Sequence, residues 1–349
     1  MSIARHLTLL GAAVAAGAPL GAQRVTKDAA PATTYHVART VRLGGPGGWD
    51  YLAVDTVGHR LYVSHATHVV VVDTRTDSVV GDIGDTPGVH GIAIAPSLGR
   101  GFVSNGRDSS VTVFDLSTLA TVARIHGTGA NPDAIHYDTL THRVFTFNGR
   151  SSSATVIDAA TDSIVGTIPL GGKPEFAVSD GLGMLWVNVE DTSELVAIDT
   201  RTLAITTRWS IKPCEEPSGL AIDRANRRLF SVCDDVMAVS DADAGKLLTT
   251  VKIGGGPDAT AYDPALGLVF SSNGDGDLSV VRQLDANRYA VVQTLKTRAG
   301  ARTMTLDPTT HRLYTVFAEY GPTPAATAAE PRPRAPMKPD SFTLMVIEP

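Results

Sequence analysis

Acidic and other polar side chains recur in this sequence at intervals of 40 to 44 residues, as expected if a repeated unit carries each of them to a common place. Most are carboxylates, whose oxygens bind hard cations or act as general bases. The segments that carry them end at seven anchor residues: Asp55, Pro96, Asp138, Asp180, Asp223, Asp263 and Asp307. Five residues before each anchor is a leading position, and these hold Asp50, Gly91, Asp133, Glu175, Ser218, Asp258 and Arg302.

Other polar and aromatic groups flank the leading positions or follow the anchors. Near the leading positions are Trp49, His90, Lys173, Glu215 and Glu216. Nine or ten residues after the anchors are His65, Asn105, Asn148, Glu190, Cys233, Asn273 and Phe317. The candidate ligand-binding residues are Trp49, Asp50, His65, His90, Asp133, Glu175, Glu190, Glu216, Asp258 and Arg302. The only cofactor that they suggest is a divalent metal ion, with His90, Asp133, Glu175 and Asp258 as candidate ligands.

Each repeat has the same succession of short β-branched and aromatic segments. The segment ending at the anchor is followed by a second such as RLYVSH, a third such as VVVVD and a fourth such as DSVVGDIG. Val, Ile and Tyr in these segments, with Gly, Asp and Asn between them, predict strands and hairpins. No segment keeps an apolar period of 3.6 residues, so we expect very little helix. Four strands in about 42 residues is typical of a propeller blade.

The chain ends favour a closed ring over an open solenoid. The seventh repeat has only three strands, the last being SFTLMVIEP, and a spare strand, YHVARTVRLGG (35–45), precedes the first repeat. Pairing the spare strand with the last blade removes two exposed sheet edges. We therefore predict an all-β fold, a seven-bladed β-propeller of four-stranded antiparallel blades, in one domain over 35–349. The leading positions and the second-strand ends then share one face, at the mouth of the central channel.

Two regions depart from the repeat. At the N-terminus, Arg5 and His6 precede an apolar run from Leu7 to Ala18 and then small residues, which is typical of a secretory signal peptide. We predict a signal peptide over 1–22, a flexible lead-in over 23–34, and a periplasmic or secreted protein. The apolar run is too short to span a bilayer, so we expect no membrane insertion. The Pro/Ala-rich segment 321–340 predicts a mobile loop within blade seven.

The repeat resembles the YVTN-repeat, YncE-like β-propeller family in its "hhD…RLYVS…V.VhD..T…V..I..G" unit, over about residues 35–349. The resemblance implies a secreted or periplasmic seven-bladed propeller. A DNA-binding role suggested within that family is not supported here, because the net charge is −6 and no basic cluster occurs. More distant relatives carry copper or haem in electron-transfer enzymes, but this chain has no C-x-x-C-H motif.

Structural explanations compete with binding at these positions. Polar residues at strand ends also accept backbone N–H groups, and Asn-Gly pairs are ordinary hairpin turns. The segment NGDGDLS (273–279) has alternating carboxylates but Leu278 and Leu284 where a calcium loop needs Gly and Glu, which favours a hairpin turn. His65 and His68 in SHATH form only a sparse metal motif. H-E-x-x-H, G-x-S-x-G, P-loop and G-x-G-x-x-G motifs are absent from the sequence.

The two cysteines, Cys214 and Cys233, fall on the mouth face of blade five, at the two ends of a strand pair. That placement permits the short Cα separation of a disulfide, and an exported protein meets an oxidising compartment. A disulfide is therefore our prediction, with metal ligation and free thiols as the alternatives. A disulfide would also hold Glu215 and Glu216 at the channel mouth.

Three functions remain open from the sequence. The first is a non-catalytic, monomeric binding or scaffold protein that holds a small polar molecule, a cation or a protein partner at the channel mouth, but no nucleic acid. The second is a metal-assisted, lactonase-like hydrolase with His90, Asp133, Glu175 and Asp258 as ligands and Glu216 as base. The third is a redox or metal accessory protein that uses the cysteines as ligands. The absence of a catalytic motif favours the first.

Overall fold

The structure is a computed structural model that describes residues 1, 33–327 and 331–349. The chain divides into two units, 1–33 and 34–349. The predicted signal peptide and most of the predicted lead-in lie outside the described residues. None of the helices in the described ranges has the length and apolar character needed to cross a membrane. The two short 3-10 helices are Pro96–Leu98 and Gly149–Ser151.

Unit 34–349 consists of seven antiparallel sheets of four strands each. Blades one to three contain β2 (Trp49–Asp55), β3 (Arg60–His65), β4 (His68–Asp73), β5 (Ser78–Ile83), β6 (Val89–Ala95), β7 (Arg100–Asn105), β8 (Ser110–Asp115), β9 (Thr121–His126), β10 (Pro132–Asp138), β11 (Arg143–Asn148), β12 (Ser153–Asp158) and β13 (Ser163–Pro169). Blades four and five contain β14 (Pro174–Ser179), β15 (Met184–Val189), β16 (Glu194–Asp199), β17 (Ile205–Ser210), β18 (Leu220–Asp223), β19 (Arg228–Cys233), β20 (Val236–Asp241) and β21 (Lys246–Lys252). Blades six and seven contain β22 (Pro257–Asp263), β23 (Leu268–Asn273), β24 (Asp277–Asp285), β25 (Arg288–Lys296), β26 (Met304–Asp307), β27 (Arg312–Phe317), β28 (Thr343–Glu348) and β1 (His36–Arg42).

The ring closes as the repeat predicts. Strand β1 pairs antiparallel with β28, which gives the last blade the order β1-β28-β27-β26. The innermost strand of each blade contacts that of the next, and β2 of blade one also contacts β26 of blade seven. The predicted seven-bladed β-propeller is confirmed.

The carboxylates of the anchor aspartates stabilise turns by accepting backbone N–H groups. Asp55 Oδ1 accepts the backbone N–H groups of Val57 and Gly58, at 3.0 and 2.9 Å, in the turn between the first and second strands. Asp138, Asp180, Asp223, Asp263 and Asp307 accept backbone N–H groups in the same turn of their own blades. The repeated Asp is therefore explained by turn geometry.

Arginines at the start of the second strands join neighbouring blades. Arg143 donates from its guanidinium to the carbonyl oxygens of Thr200 and Arg201 in blade four, at 2.8 and 3.1 Å. Equivalent bonds to backbone carbonyls of the following blade are made by Arg60, Arg100, Arg228 and Arg312. The bond from Arg312 reaches Thr74 of blade one, across the closure of the ring.

Replacing Arg143 by methionine should lower the free energy of unfolding by about 1–2 kcal/mol, because two charge-assisted hydrogen bonds between blades are lost. The aliphatic stem is kept, so packing changes little. Urea denaturation measures the effect. Arg150→Met, on a turn, is the control; an Arg143→Met variant as stable as wild type would contradict this role.

The core lies between blades. One cluster joins Tyr62 and Val71 of blade one to Ile92, Val103 and Phe114 of blade two, all nearly fully buried. Both faces of each blade's inner strands are therefore covered, which explains their apolar runs.

The Pro/Ala-rich segment is tied at its base. Tyr320 forms an isolated antiparallel bridge with Met337, and Lys338 Nζ lies 3.0 Å from Glu319 Oε2. The mobility of the rest of the segment stays a prediction.

Candidate functional site

A cavity of about 340 Å³ lies at the mouth of the channel. Six of the seven leading positions contribute to its lining, which also contains side chains from loops at the ends of second strands. The lining residues are Asp50, Tyr51, Leu52, Asp133, Lys173, Glu175, Phe176, Glu190, Glu216, Ser218, Asp234, Gly256, Pro257, Asp258, Ala259, Arg302, Thr303 and Met304.

Hydroxyl groups of second strands hold the leading positions in place. The backbone N–H of Asp50 donates to Ser64 Oγ at 2.9 Å. Ser104 Oγ of blade two donates to the carbonyl oxygen of Asp133 in blade three, and Ser272 Oγ of blade six donates to that of Arg302 in blade seven. The buried hydroxyls thus link adjacent blades at the mouth and bring the leading side chains together.

One side of the mouth carries an Asp–His–Asp group. His90 Nδ1 lies 2.6 Å from Asp50 Oδ2 and 3.6 Å from Asp133 Oδ1. Carboxylate oxygens only accept, so the ring nitrogen donates to Asp50. Gly106 makes room for the ring, because a Cβ there would lie 2.6 Å from His90 Nε2.

The residues of this group shift one another's pKa values. Burial lowers the pKa of His90, but the hydrogen bond to Asp50 and the charge of Asp133 outweigh it, so the net shift is upward. Burial and then the charge of Asp50 raise the pKa of Asp133 to about 6. One ligand atom from each residue lies within 4.8 Å of the others, so in the described part of the chain these three could hold a metal ion.

A second group surrounds a lysine. Lys173 Nζ lies 2.8 Å from Glu175 Oε1 and also contacts Glu190 Oε2. Burial and then the charge of Asp133 raise the pKa of Glu175, which is the more buried of the two glutamates. Lys173 therefore neutralises part of the charge in this half of the cavity.

A third pair closes the opposite side. Arg302 Nη1 lies 3.5 Å from Asp258 Oδ1, and the arginine is about half exposed. Burial raises the pKa of Asp258 to about 6, although the charge of Arg302 lowers it. Because Arg302 is hydrated, it offsets only part of the cost of ionising Asp258.

Two aromatic rings lie among these carboxylates. Tyr51 of blade one and Phe176 of blade four have ring centroids 5.2 Å apart, so side chains from well-separated blades meet across the channel. Burial, and then Asp133, Glu175, Asp50 and Asp258, raise the pKa of Tyr51 well above its usual value. We call Tyr51 and Phe176 the aromatic pair.

The structure brings together most of the residues selected from the sequence. Seven of them line the cavity: Asp50, Asp133, Glu175, Glu190, Glu216, Asp258 and Arg302. His90 adjoins it through Asp50 and Asp133, whereas Glu175 and Asp258 of the proposed metal set are paired with Lys173 and Arg302 instead.

Trp49 and His65 lie elsewhere. Both stack on Phe342, with ring centroids 5.2 and 4.2 Å away, because they pair across β2 and β3 at the edge that meets blade seven. Burial lowers the pKa of His65 to about 4, and His68 of the same motif lies 3.5 Å from Asp82. The structure therefore places these two candidates outside the lining of the cavity.

Tyr51, Phe176 and Thr303 were not predicted from the sequence. All three occupy the residue directly after a leading position, and that position also holds Ile92, Ala134, Gly219 and Ala259. Aligning this position would have shown large aromatic residues in blades one and four against small residues in blades three, five and six. Such a contrast indicates side chains that fill the channel.

The structure supports a hairpin turn at 273–279 and a structural role for the asparagines at the ends of second strands. Asn273 Nδ2 donates to Asp277 Oδ1 and Ser279 Oγ inside the β23–β24 hairpin, which supports a turn over a calcium loop. Asn105 and Asn148 donate to hydroxyls of the following strand in the same way. These second-strand asparagines therefore stabilise hairpins.

Cys214 and Cys233 form a disulfide with a Cα–Cα distance of 5.5 Å. Both are buried. Glu216 and Asp234, which line the rim of the cavity, follow the two cysteines closely in sequence. The predicted disulfide is confirmed, and it removes both thiols as metal ligands.

Comparisons with known proteins inform the fold only. No protein-family model matches the chain, and a search of curated proteins finds no match. Among solved structures, a chain from "Crystal Structure of Mitotic Checkpoint Complex" is similar, with a TM-score of 0.73 and 14% identity over 98% of this chain and 99% of that one. At that identity the likeness establishes only the fold, a seven-bladed β-propeller.

Proposed function

We propose that this protein is a non-catalytic binding protein that holds a small cationic ligand at the channel mouth. The observation that carries the proposal is the imbalance of charge in the cavity. In the described part of the chain, seven carboxyl groups line it, against two cationic side chains, Lys173 and Arg302, so negative charge is in excess even with Glu175 protonated by its raised pKa. Carboxylates confined with too few cations repel one another, and a bound cation relieves that repulsion.

The raised pKa values of Asp133 and Asp258 support this proposal. Side chains that serve only the fold are usually paired and have lowered values, as Asp180 does beside Arg227. Here the fold tolerates buried negative charge without full compensation. Such groups cluster at binding and catalytic sites.

Isothermal titration tests the proposal with cationic probes: Mg²⁺, Ca²⁺, Zn²⁺, butylamine, cadaverine and spermidine. Glutarate is the matched control, since it has the five-carbon length of cadaverine but two negative charges. We expect saturable binding of at least one cation and none of glutarate. Binding of glutarate alone, or of no cation, would refute the proposal.

Cation binding should weaken as pH falls from 7.5 to 5, because Asp133 and Asp258 have pKa values near 6 and lose their charge over that range. Burial is the main cause of both raised pKa values; the charge of Asp50 raises them further, and the charges of His90, Lys173 and Arg302 lower them. With two carboxylates protonated, we expect a loss in affinity of at least about tenfold. Titrations at pH 7.5, 6 and 5 and constant ionic strength measure it; an affinity unchanged at pH 5 would count against these two carboxylates.

A metal-assisted hydrolase is the second candidate, and the grouping of Asp50, His90 and Asp133 favours it. Glu216, its candidate base, lies exposed at the rim. Turnover of a lactone panel that requires added metal would support this candidate.

We further propose that the protein is exported and belongs to the YncE-like propellers. The N-terminal sequence and the repeat pattern support this, and the disulfide fits an oxidising compartment. The mouth face is also where we propose that a protein partner would bind, since propellers commonly present loops on one face for recognition.

A further inference from the structure

The cavity is too large, and its carboxylates too dispersed, for a single metal ion. Its volume of about 340 Å³ is on the order of ten times the volume that one molecule occupies in liquid water. In the described ranges, only Asp50, His90 and Asp133 converge within 4.8 Å. There Nδ1 of His90 already donates a hydrogen bond to Asp50, so a metal ion bound to that nitrogen would have to displace its proton.

The aromatic pair adds an apolar surface. Tyr51 and Phe176 line the cavity together with the carboxylates, and Leu52, Ala259 and Met304 add further apolar groups to the lining. A hydrated inorganic ion gains nothing from such a surface. An organic cation gains contact with its carbon atoms and attraction between its charge and the ring faces.

A buried hydroxyl at the same place lacks a partner. Thr303 lines the cavity and is 4% exposed, and its Oγ1 is buried with no hydrogen-bond partner in the described part of the chain. Buried hydroxyls are rarely left unpaired, and Oγ1 is covered in this rotamer, so we infer that the Thr303 side chain rotates to turn Oγ1 into the cavity when a ligand supplies the missing hydrogen bond. An ammonium group carries three donors and no acceptor, which suits a hydroxyl oxygen beside carboxylates.

We propose that the ligand is an organic ammonium ion of a few carbon atoms, whose charged head lies among Asp50, Asp133 and Asp258 and near Thr303 while its carbon body contacts the aromatic pair. This rests on the proposed function and narrows it from any cation to an aliphatic amine. The same chemistry is carried by a free amine and by the lysine side chain of a protein.

The probes that separate these possibilities are cadaverine, butylamine, a short peptide containing one lysine, and Mg²⁺, Ca²⁺ and Zn²⁺. Isothermal titration at pH 7.5 should give saturable binding of an amine and weak or no binding of the metal ions. A preference for cadaverine or butylamine indicates a free amine as the source. A preference for the peptide indicates a protein lysine, and either supports the proposal.

Two variants test the contacts. Phe176→Leu keeps an apolar side chain but removes the ring, and should weaken amine binding about three- to tenfold. Thr303→Val keeps the shape but removes Oγ1, and should weaken it about fivefold. Thr200→Val is the matched control, because Thr200 Oγ1 is also buried and unpartnered in the described structure but lies in the β16–β17 turn, away from the cavity.

The outcomes are distinct. Binding of metal ions without amines would overturn this inference and leave the proposed cation-binding function standing. Binding of no cation would overturn both. Amine binding that Phe176→Leu and Thr303→Val leave as strong as in Thr200→Val, with all three variants folded by thermal unfolding, would also overturn it, because the amine would then lie elsewhere.

Discussion

Replacing Asp133 by asparagine should stabilise the fold at pH 7.5 while weakening cation binding. The pKa of Asp133 in the folded protein is about 6, above the ordinary 3.8, mainly because the side chain is buried. The folded state therefore holds the proton more tightly than the unfolded state does. Stability falls as pH rises from about 4 to 6, and the loss persists above pH 6.

The expected gain is about 1–3 kcal/mol at pH 7.5, since a rise of about two pKa units corresponds to roughly 3 kcal/mol and asparagine does not reproduce every contact. The side chain is 13% exposed, so solvent screening reduces the figure little. Urea midpoints at pH 7.5 and at pH 4 measure it, and the difference between variant and wild type should nearly vanish at pH 4. Asp82→Asn, at an exposed site, is the control.

The combination of results matters more than either alone. Replacing a residue that stabilises the fold lowers the urea midpoint. Replacing a residue that serves binding at the expense of stability raises it. An Asp133→Asn variant that is less stable at pH 7.5 and binds cations as tightly as wild type would contradict both the charge imbalance and the proposed function.

Removing the disulfide should produce the largest loss of stability. Replacing Cys214 and Cys233 together by alanine reopens a loop with a sequence separation of 19 residues, which costs roughly 3 kcal/mol on the chain-entropy estimate. Alanine avoids placing a new polar group at two buried positions. Urea denaturation of the double variant against oxidised wild type measures the cost.

Cation binding should weaken in the same variant. Glu216 and Asp234 lie at the rim beside the cysteines, with left-handed backbone φ of 50° and 47°. Such a conformation is costly for residues other than glycine and needs support from its surroundings. Wild type treated with reductant is the matched control and should behave like the double variant. Equal stability of oxidised and reduced wild type would show that the cross-link is dispensable.

The repeat explains why the fold was predictable. The anchor aspartates, present in six of the seven repeats, indicate turns, and the spare N-terminal strand with the three-stranded last repeat indicates closure. These features are visible in the sequence without distances, whereas the bonds that the arginines make between blades were seen only in the structure. Even the disulfide followed from the places of Cys214 and Cys233 within one repeat.

The site was predictable only in part. Leading positions come together in any closed propeller, which is why Asp50, Asp133, Glu175 and Asp258 met as expected. Which carboxylate forms an ion pair with Lys173 or with Arg302 was not predictable, because the sequence places several acidic residues on the same face as both. Only side-chain positions show that Lys173 pairs with Glu175 and Glu190, and that Arg302 pairs with Asp258.

The sequence by itself determined seven blades, their closure and the face on which charge collects, because each follows from strand alternation and turns repeated every 40 to 44 residues, and it favoured a disulfide over metal ligation and free thiols. The tertiary structure alone decided what occupies that face. Contacts across the ring join blades far apart in sequence, so the meeting of Tyr51 with Phe176 depends on channel width and blade angle. The stacking of Trp49 and His65 on Phe342 depends in the same way on how blade seven meets blade one.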